Sequence, residues 1–171
     1  MRLTVEQQLP WDVEADVLAV TDPASDDLPE YLAEIDRRLG GALTEMRSVG
    51  ALKAKLWSAR LLPAREMGVR FVLAVGVGEG DAIDRLGARR LGAVVVKQLA
   101  GCDVSTLALH LPDALVGPGG ALQAAVVELL TRGLIEGAED PSTLYGEPGE
   151  ALPPQLEAVT FVVESGPPDE L

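Results

Sequence analysis

The sequence predicts an α/β domain in three layers, with a mixed sheet of about five to six strands between helices. Short apolar runs, bounded by Pro, Gly and Asp, alternate with longer segments in which apolar residues recur at helical spacing. The length of 171 residues and the hydrophobic content of 47% are those of one folded domain. We assign residues 1–165 to this domain and residues 166–171 to a flexible tail.

Six apolar runs have the length and composition of β-strands. The run from Val69 to Val75 is the most apolar of them, so we expect it to be a central strand. Pro63 and Pro112 end two of the other runs, because proline cannot donate a hydrogen bond to a strand ladder. The predicted strands are Arg2–Gln8, Ala15–Val20, Leu56–Leu62, Val69–Val75, Val104–Leu111 and Ala158–Glu164.

Three segments between these strands have helical periodicity. The first of them is interrupted by Gly40 and Gly41, and Asp26 or Asp27 is available to cap its start. The predicted helices are Leu28–Met46, Asp81–Gly101 and Gly119–Gly137.

The two later helices each have a core side and a charged side. In the first, Leu86 and Val96 fall near the charged side, where we expect exposure. Contact of these two residues with a partner domain or subunit is the alternative. In the second, Glu128, Arg132 and Glu136 alternate in charge at a spacing of four residues, which predicts a solvated face.

The charge balance excludes several classes of partner. A formal net charge of −13 opposes binding to nucleic acid or to an anionic membrane, because both depend on Lys and Arg. The start of the chain has no signal-peptide pattern, and no apolar run approaches the ~20 residues of a membrane span. The single cysteine, Cys102, cannot form an intrachain disulfide and is expected to be a buried thiol. We expect a cytoplasmic protein.

A glycine-rich loop follows the most apolar run, as in dinucleotide-binding proteins. Its glycines are Gly76, Gly78 and Gly80, whereas the fingerprint needs G-x-G-x-x-G. Asp81 occupies the place where the third glycine would pack helix against strand, and its carboxylate would compete with a phosphate. The acid expected ~20 residues further on is missing, since the first acid beyond the following strand is Asp113, which is too distant. We interpret the loop as a tight turn.

Other candidate chemistry is equally sparse. The only histidine, His110, has no second His or Cys in a metal-binding spacing and is expected to be structural. Ser58, Ser105 and Ser142 lack the flanking residues that mark a nucleophile. The acidic loop TDPASDD has the composition of turns and caps, with a bound cation as the alternative. The sequence therefore assigns no catalytic, cofactor-binding or metal-binding residue.

Several stretches in order resemble the N-terminal domain of the cytosolic leucyl aminopeptidases, peptidase family M17. The resemblance extends from about Val13 to Gly137, with the last predicted strand also in place. The stretches are ADVLAV, LAEIDRRLGGALTEM, LLPAREMGVRFVLAVGVGEG, DRLGARRLGAVVVKQLAGCDVSTLALHLPD and LLTRGLIEGA.

The resemblance implies a macro-domain-like fold and a structural or regulatory role as an interaction domain. In that family two divalent metal ions and the catalytic residues lie in a C-terminal domain, so none of them can be carried over to this chain. The implied partner is a catalytic aminopeptidase domain or a second copy, and the chain alone is expected to be inactive. The sequence leaves open whether the chain is free-standing or part of a longer peptidase.

Two features qualify the resemblance. After Gly137 the chain departs from the family pattern in the segment EDPSTLYGEP. Only Tyr145 in this segment resembles the residues that the family has there. Macro domains bind ADP-ribose, and backbone pockets at Gly40 and Gly41 or at Gly76 to Gly80 leave binding of ADP-ribose or a nucleotide as the alternative function. The chain contains no asparagine, the residue commonly beside the ribose in macro domains.

Overall fold

In the computed structural model, six strands form one mixed sheet with the order β1-β6-β5-β2-β4-β3. The structure describes residues 1–52, 55–78, 83–113, 120–139 and 152–164. The strands are β1 (Arg2–Gln7), β2 (Ala15–Pro23), β3 (Ala59–Pro63), β4 (Val69–Gly78), β5 (Thr106–Leu111) and β6 (Ala158–Val163), and the α-helices in these ranges are α1 (Glu30–Arg38), α2 (Ala42–Ser48), α3 (Arg85–Gln98) and α4 (Gly120–Ala138).

All neighbouring strands run parallel except β3, which is antiparallel to β4. The predicted fold class, a mixed sheet of about five to six strands, is confirmed. The position expected for the most apolar run, a central strand, is corrected by the strand order. Its strand, β4, is interior but lies second from the edge, between β2 and β3.

Two separate hydrophobic clusters pack on the two faces of the sheet. Alternate residues of one strand contribute to each, since successive side chains of a strand point to opposite faces. On β2, Val17 belongs to the cluster under α3 and α4, and Leu18 belongs to the cluster under α1 and α2. Helices therefore cover both faces, which is the three-layer arrangement expected from the sequence.

The predicted first helix is divided at its two glycines. Gly40 and Gly41 have φ of 69° and 83°, values that favour glycine, and α2 begins directly afterwards. The predicted cap at Asp26 or Asp27 is wrong, because Pro29 is the N-cap of α1. Asp36 instead caps the following helix: Leu43 N–H donates to its Oδ1 at 2.7 Å.

Helices α3 and α4 pack backbone against backbone. A Cβ placed on Gly133 would lie 1.9 Å from the Arg89 carbonyl oxygen, and one on Gly92 would lie 2.3 Å from the Leu130 carbonyl oxygen. Glycine is therefore required at both positions for the helices to approach this closely. This contact explains Gly92 in the first of these helices and the two glycines of TRGLIEG, Gly133 and Gly137, in the second.

Two expectations for these helices are corrected. The start of α3 is capped by Asp84, which accepts the Gly87 N–H at 2.6 Å, whereas Asp81 lies outside the described residues. Val96 is only 1% exposed and belongs to the core, although Leu86 is exposed as expected. The predicted solvated row of Glu128, Arg132 and Glu136 on α4 is exposed as expected, and Glu136 also binds Arg89 of α3.

Candidate functional site

The order of the strands places a topological switch point beside β2. The chain continues from β2 to β3 and β4 on one side, while β5 lies on the other. In open α/β sheets, ligands bind in the crevice at the carboxyl ends of the strands at such a point. The polar side chains gathered there form what we call the carboxyl-edge cluster, which consists of Thr21, Asp22, Tyr31, Arg47, His110 and Glu164.

At the centre of the cluster, Asp22 forms a buried ion pair with Arg47. The Asp22 side chain is completely buried, and Arg47 reaches it from α2. The same guanidinium donates to the carbonyl oxygens of Pro23 at 3.0 Å and Ser25 at 3.1 Å. Burial raises the pKa of the Asp22 carboxyl, and Arg47 opposes this shift. Arg47 thus binds the carboxyl end of β2 through the Asp22 side chain and two backbone carbonyl groups.

Tyr31 of α1 closes the cluster on the helix side. Its hydroxyl donates to the Thr21 carbonyl oxygen at 2.8 Å and lies 3.1 Å from the Thr21 hydroxyl. Burial raises the pKa of Tyr31 to about 12, so the phenol stays protonated and available as a donor. Its ring packs against the His110 ring at a centroid distance of 4.7 Å.

His110 is completely buried at the end of β5. Its Nε2 lies 3.2 Å from a carboxylate oxygen of Glu164, and this contact lowers the pKa of the Glu164 carboxyl. Within the described residues neither ring nitrogen makes a hydrogen bond of regular geometry. The space beside the ring, also lined by Leu91 and Leu109, is too small to hold a water molecule. The expected structural role of His110 agrees with this burial.

A metal site among the described residues would draw its ligands from His, Cys, Asp and Glu. No group of three or more His, Cys, Asp or Glu in the described ranges is placed to hold a metal ion. A pair of divalent ions, as the M17 resemblance implies for its C-terminal domain, therefore does not fit these residues. Of the buried carboxylates, Asp22 binds Arg47 through Oδ1 and Asp36 accepts the Leu43 N–H.

The sequence-derived glycine candidates lie at two places. Gly78 ends β4 with a φ of 75°, as a turn requires, while Gly80 lies outside the described residues. Gly40 and Gly41 form the break between α1 and α2 and do not belong to the carboxyl-edge cluster. Tyr145 and the tail at 166–171 also lie outside the described ranges.

Sequence reasoning missed the ion pair that fills the switch point. Asp22 belongs to the acidic loop that was interpreted as turns and caps, and Arg47 lies 25 residues later in a helix. A buried carboxylate directly after an apolar strand was the available signal, since such a group needs a partner. Its cationic partner could not be chosen among the arginines without the fold.

No helix in the described part of the chain is long and apolar enough to cross a bilayer.

Comparison with known proteins relates this fold to two groups. The chain is similar to a tomato leucine aminopeptidase mutant with a TM-score of 0.75 and 17% identity, over 99% of this chain and 34% of that chain. It is also similar to a Trypanosoma brucei macrodomain in complex with ADP-ribose, with a TM-score of 0.65 and 10% identity, over 96% of this chain and 64% of that one. At these identities the likeness concerns the fold alone.

A third structure, the bottromycin maturation enzyme BotP in complex with Mn, matches with a TM-score of 0.53 and 21% identity, over 86% of this chain and 26% of that one. The chain thus spans about a third of the aminopeptidase that it matches. No curated protein sequence matches it.

The sequence profile of the cytosol aminopeptidase family, N-terminal domain, matches residues 17–140. This range begins within β2, includes β3 to β5 and extends past the end of α4, so it contains most of the sheet and the four α-helices of the described residues. The chain therefore belongs to the cytosol aminopeptidase family, as its N-terminal domain.

Proposed function

We propose that this domain, residues 1–165, is a non-catalytic interaction domain that gives structural or regulatory support to an aminopeptidase in the cytoplasm. The family match over residues 17–140 carries the proposal. In this view the metal-dependent removal of N-terminal residues from peptides belongs to a separate catalytic domain. The partner is that catalytic domain or a second copy of this one.

The chemistry of the described residues supports this assignment. The carboxyl-edge cluster uses its charges internally, because Asp22 binds Arg47 and His110 lies against Glu164. None of these groups is both accessible and paired with a base in the way that a nucleophile requires. We accordingly assign no catalytic residue, cofactor-binding residue or metal ligand to this chain.

The surface charge supports a protein partner. A net charge of −13 opposes association with nucleic acid and with anionic membranes. Exposed apolar side chains occur on β1 and on the outer sides of the helices, including Val5 at 54%, Leu86 at 52% and Ile135 at 52% exposure. Apolar side chains at the surface become buried when a partner packs on them.

Hydrolysis of leucyl-anilide by the purified chain, supplied with Mn²⁺ or Zn²⁺, tests the proposal. We expect no turnover above that of the metal ion alone, because no described cluster can hold the ions next to a substrate. Robust turnover that increases with the amount of chain would refute a purely supporting role.

Binding of ADP-ribose or a nucleotide is the second candidate function. The likeness to a macrodomain that was solved with ADP-ribose favours it at the level of the fold. Against it stand the lack of asparagine in the chain and the guanidinium of Arg47 at the switch point. The supporting role therefore agrees better with the residues present.

A further inference from the structure

One edge of the sheet is an open strand. Among the described residues, β1 pairs only with β6, through a parallel register in which Thr4 lies beside Thr160. The Arg2 N–H donates to the Glu157 carbonyl oxygen at 2.7 Å, so the backbone groups of Arg2 face β6. The backbone N–H and C=O groups of successive residues point to opposite sides of a strand, so those of Leu3 and Val5 face outward, away from β6. They form a row of unpaired donors and acceptors along the edge.

The side chains on this edge are exposed and include apolar residues. Leu3 is 43% and Val5 is 54% exposed, and their register places them on the sheet face that α3 and α4 cover elsewhere. Arg2 and Glu6 lie on the opposite face, along a groove that is also lined by Thr160. In the described part of the chain neither Arg2 nor Glu6 forms an ion pair.

The sequence of this edge is complementary to itself when it is read in reverse. An antiparallel copy centred on Thr4 sets Arg2 opposite Glu6 of the second copy, and Leu3 opposite Val5. The outward backbone groups then meet, because Leu3 and Val5 form the hydrogen-bonded pairs of an antiparallel ladder. Arg2 and Glu6 fall on the non-hydrogen-bonded pairs, where side chains approach more closely.

We propose that two copies of this domain associate through β1, antiparallel about Thr4, so that the two sheets continue into one. Other registers lack the complementary charge pairs: those centred on Leu3 or Val5 leave Arg2 and Glu6 without each other, and those centred on Arg2 or Glu6 set like charges opposite each other. Both copies use the same strand, as a two-fold interface requires. The apolar side chains of Leu3 and Val5 from both copies come together on one face.

This inference rests on the proposed role as an interaction domain and names its partner as a second copy. The contact involves one short strand, and a net charge of −13 on each copy opposes association. The dimer is therefore weak, and added salt strengthens it by screening the long-range repulsion.

Charge reversal on β1 tests the pairing, with analytical ultracentrifugation of the full chain from micromolar to millimolar concentration. Arg2→Glu and Glu6→Arg each create like-charged pairs at both ends of the strand. We expect each variant to raise the dissociation constant roughly tenfold, since two cross-strand pairs are lost. The two variants mixed with each other carry opposite charges at both pairs, so the mixture is expected to dimerise again.

Arg60→Glu is the matched control for Arg2→Glu. Arg60 is an exposed arginine on β3, at the other edge of the sheet, and its reversal changes the net charge by the same amount as Arg2→Glu does. It is expected to leave the dissociation constant within about twofold of the original value, since distant exposed charges are screened. Unchanged melting curves establish that all variants fold.

A monomer at all concentrations overturns the pairing. It is equally overturned if the mixture of variants stays monomeric, or if Arg60→Glu weakens association as much as Arg2→Glu does. These outcomes leave the supporting role next to a catalytic domain intact, whereas hydrolysis of leucyl-anilide by the chain contradicts that role and leaves the pairing untouched.

Discussion

Asp16, at the start of β2, shows how one carboxylate fixes the beginning of two strands. Its Oδ2 accepts the N–H of Ser105 at 2.8 Å and that of Thr106 at 3.0 Å, and both hydroxyls donate to it at 3.1 Å. Arg70 reaches Oδ1 at 3.2 Å. The Ser105 N–H, together with the other donors and against the effect of burial, holds the pKa of Asp16 well below its ordinary 3.8.

We predict that Asp16→Asn lowers the free energy of unfolding by about 2 kcal/mol at pH 7, because hydrogen bonds to a charged acceptor are the stronger ones. The folded pKa is depressed, so this stabilisation is present above pH 3.8 and is lost as the pH falls toward the folded pKa. Urea unfolding at pH 7 and pH 3 measures the difference between the two proteins, which should shrink in acid. The exposed Asp12→Asn serves as control, and an equal difference at both pH values would contradict the account.

At the scale of elements, backbone contacts set the distance between α3 and α4, the two helices of one outer layer. Gly133 faces the backbone of Arg89, and Gly137 faces Ala93, where an added Cβ would lie 2.7 Å from the Ala93 Cα. The neighbouring atoms are backbone, so they cannot rotate away as a side chain could.

We predict that Gly133→Ala destabilises the domain by about 3 kcal/mol, despite the higher helix propensity of alanine. Thermal unfolding followed by circular dichroism checks this. Arg132→Ala on the exposed side of α4 is the control, since it removes only the i,i+4 pair with Glu128 and is expected to cost a few tenths of a kcal/mol. A melting temperature for Gly133→Ala equal to that of the original chain would show that the helices can separate at no cost.

Some features of the helices and strands could be predicted from the sequence, and others could not. Hydrophobic periodicity identified the six strands of the described residues, and the two glycines indicated an interruption of the first helix at Gly40 and Gly41, because both signals are local. Three features depended on tertiary contacts and were missed or misplaced: the cap of α2 by Asp36, the burial of Val96 and the pairing of Asp22 with Arg47. Each of them joins residues whose proximity only the fold decides.

For the whole molecule, the buried Asp22–Arg47 ion pair at the carboxyl edge bears on whether this domain binds a nucleotide-like ligand. We predict that calorimetric titration with ADP-ribose gives no saturable heat, because Arg47 fills the position next to Asp22. A macrodomain that binds ADP-ribose is the positive control. Micromolar binding by this chain would instead support the second candidate function.

The central claim is that this domain acts by association, while peptide hydrolysis needs residues outside it. Turnover of leucyl-anilide by the purified 171-residue chain, with Mn²⁺ or Zn²⁺ and with a chelator in parallel, tests this most directly. We expect the same rate with and without the chain. Turnover that co-elutes with the chain, increases with its concentration and disappears with the chelator would contradict it.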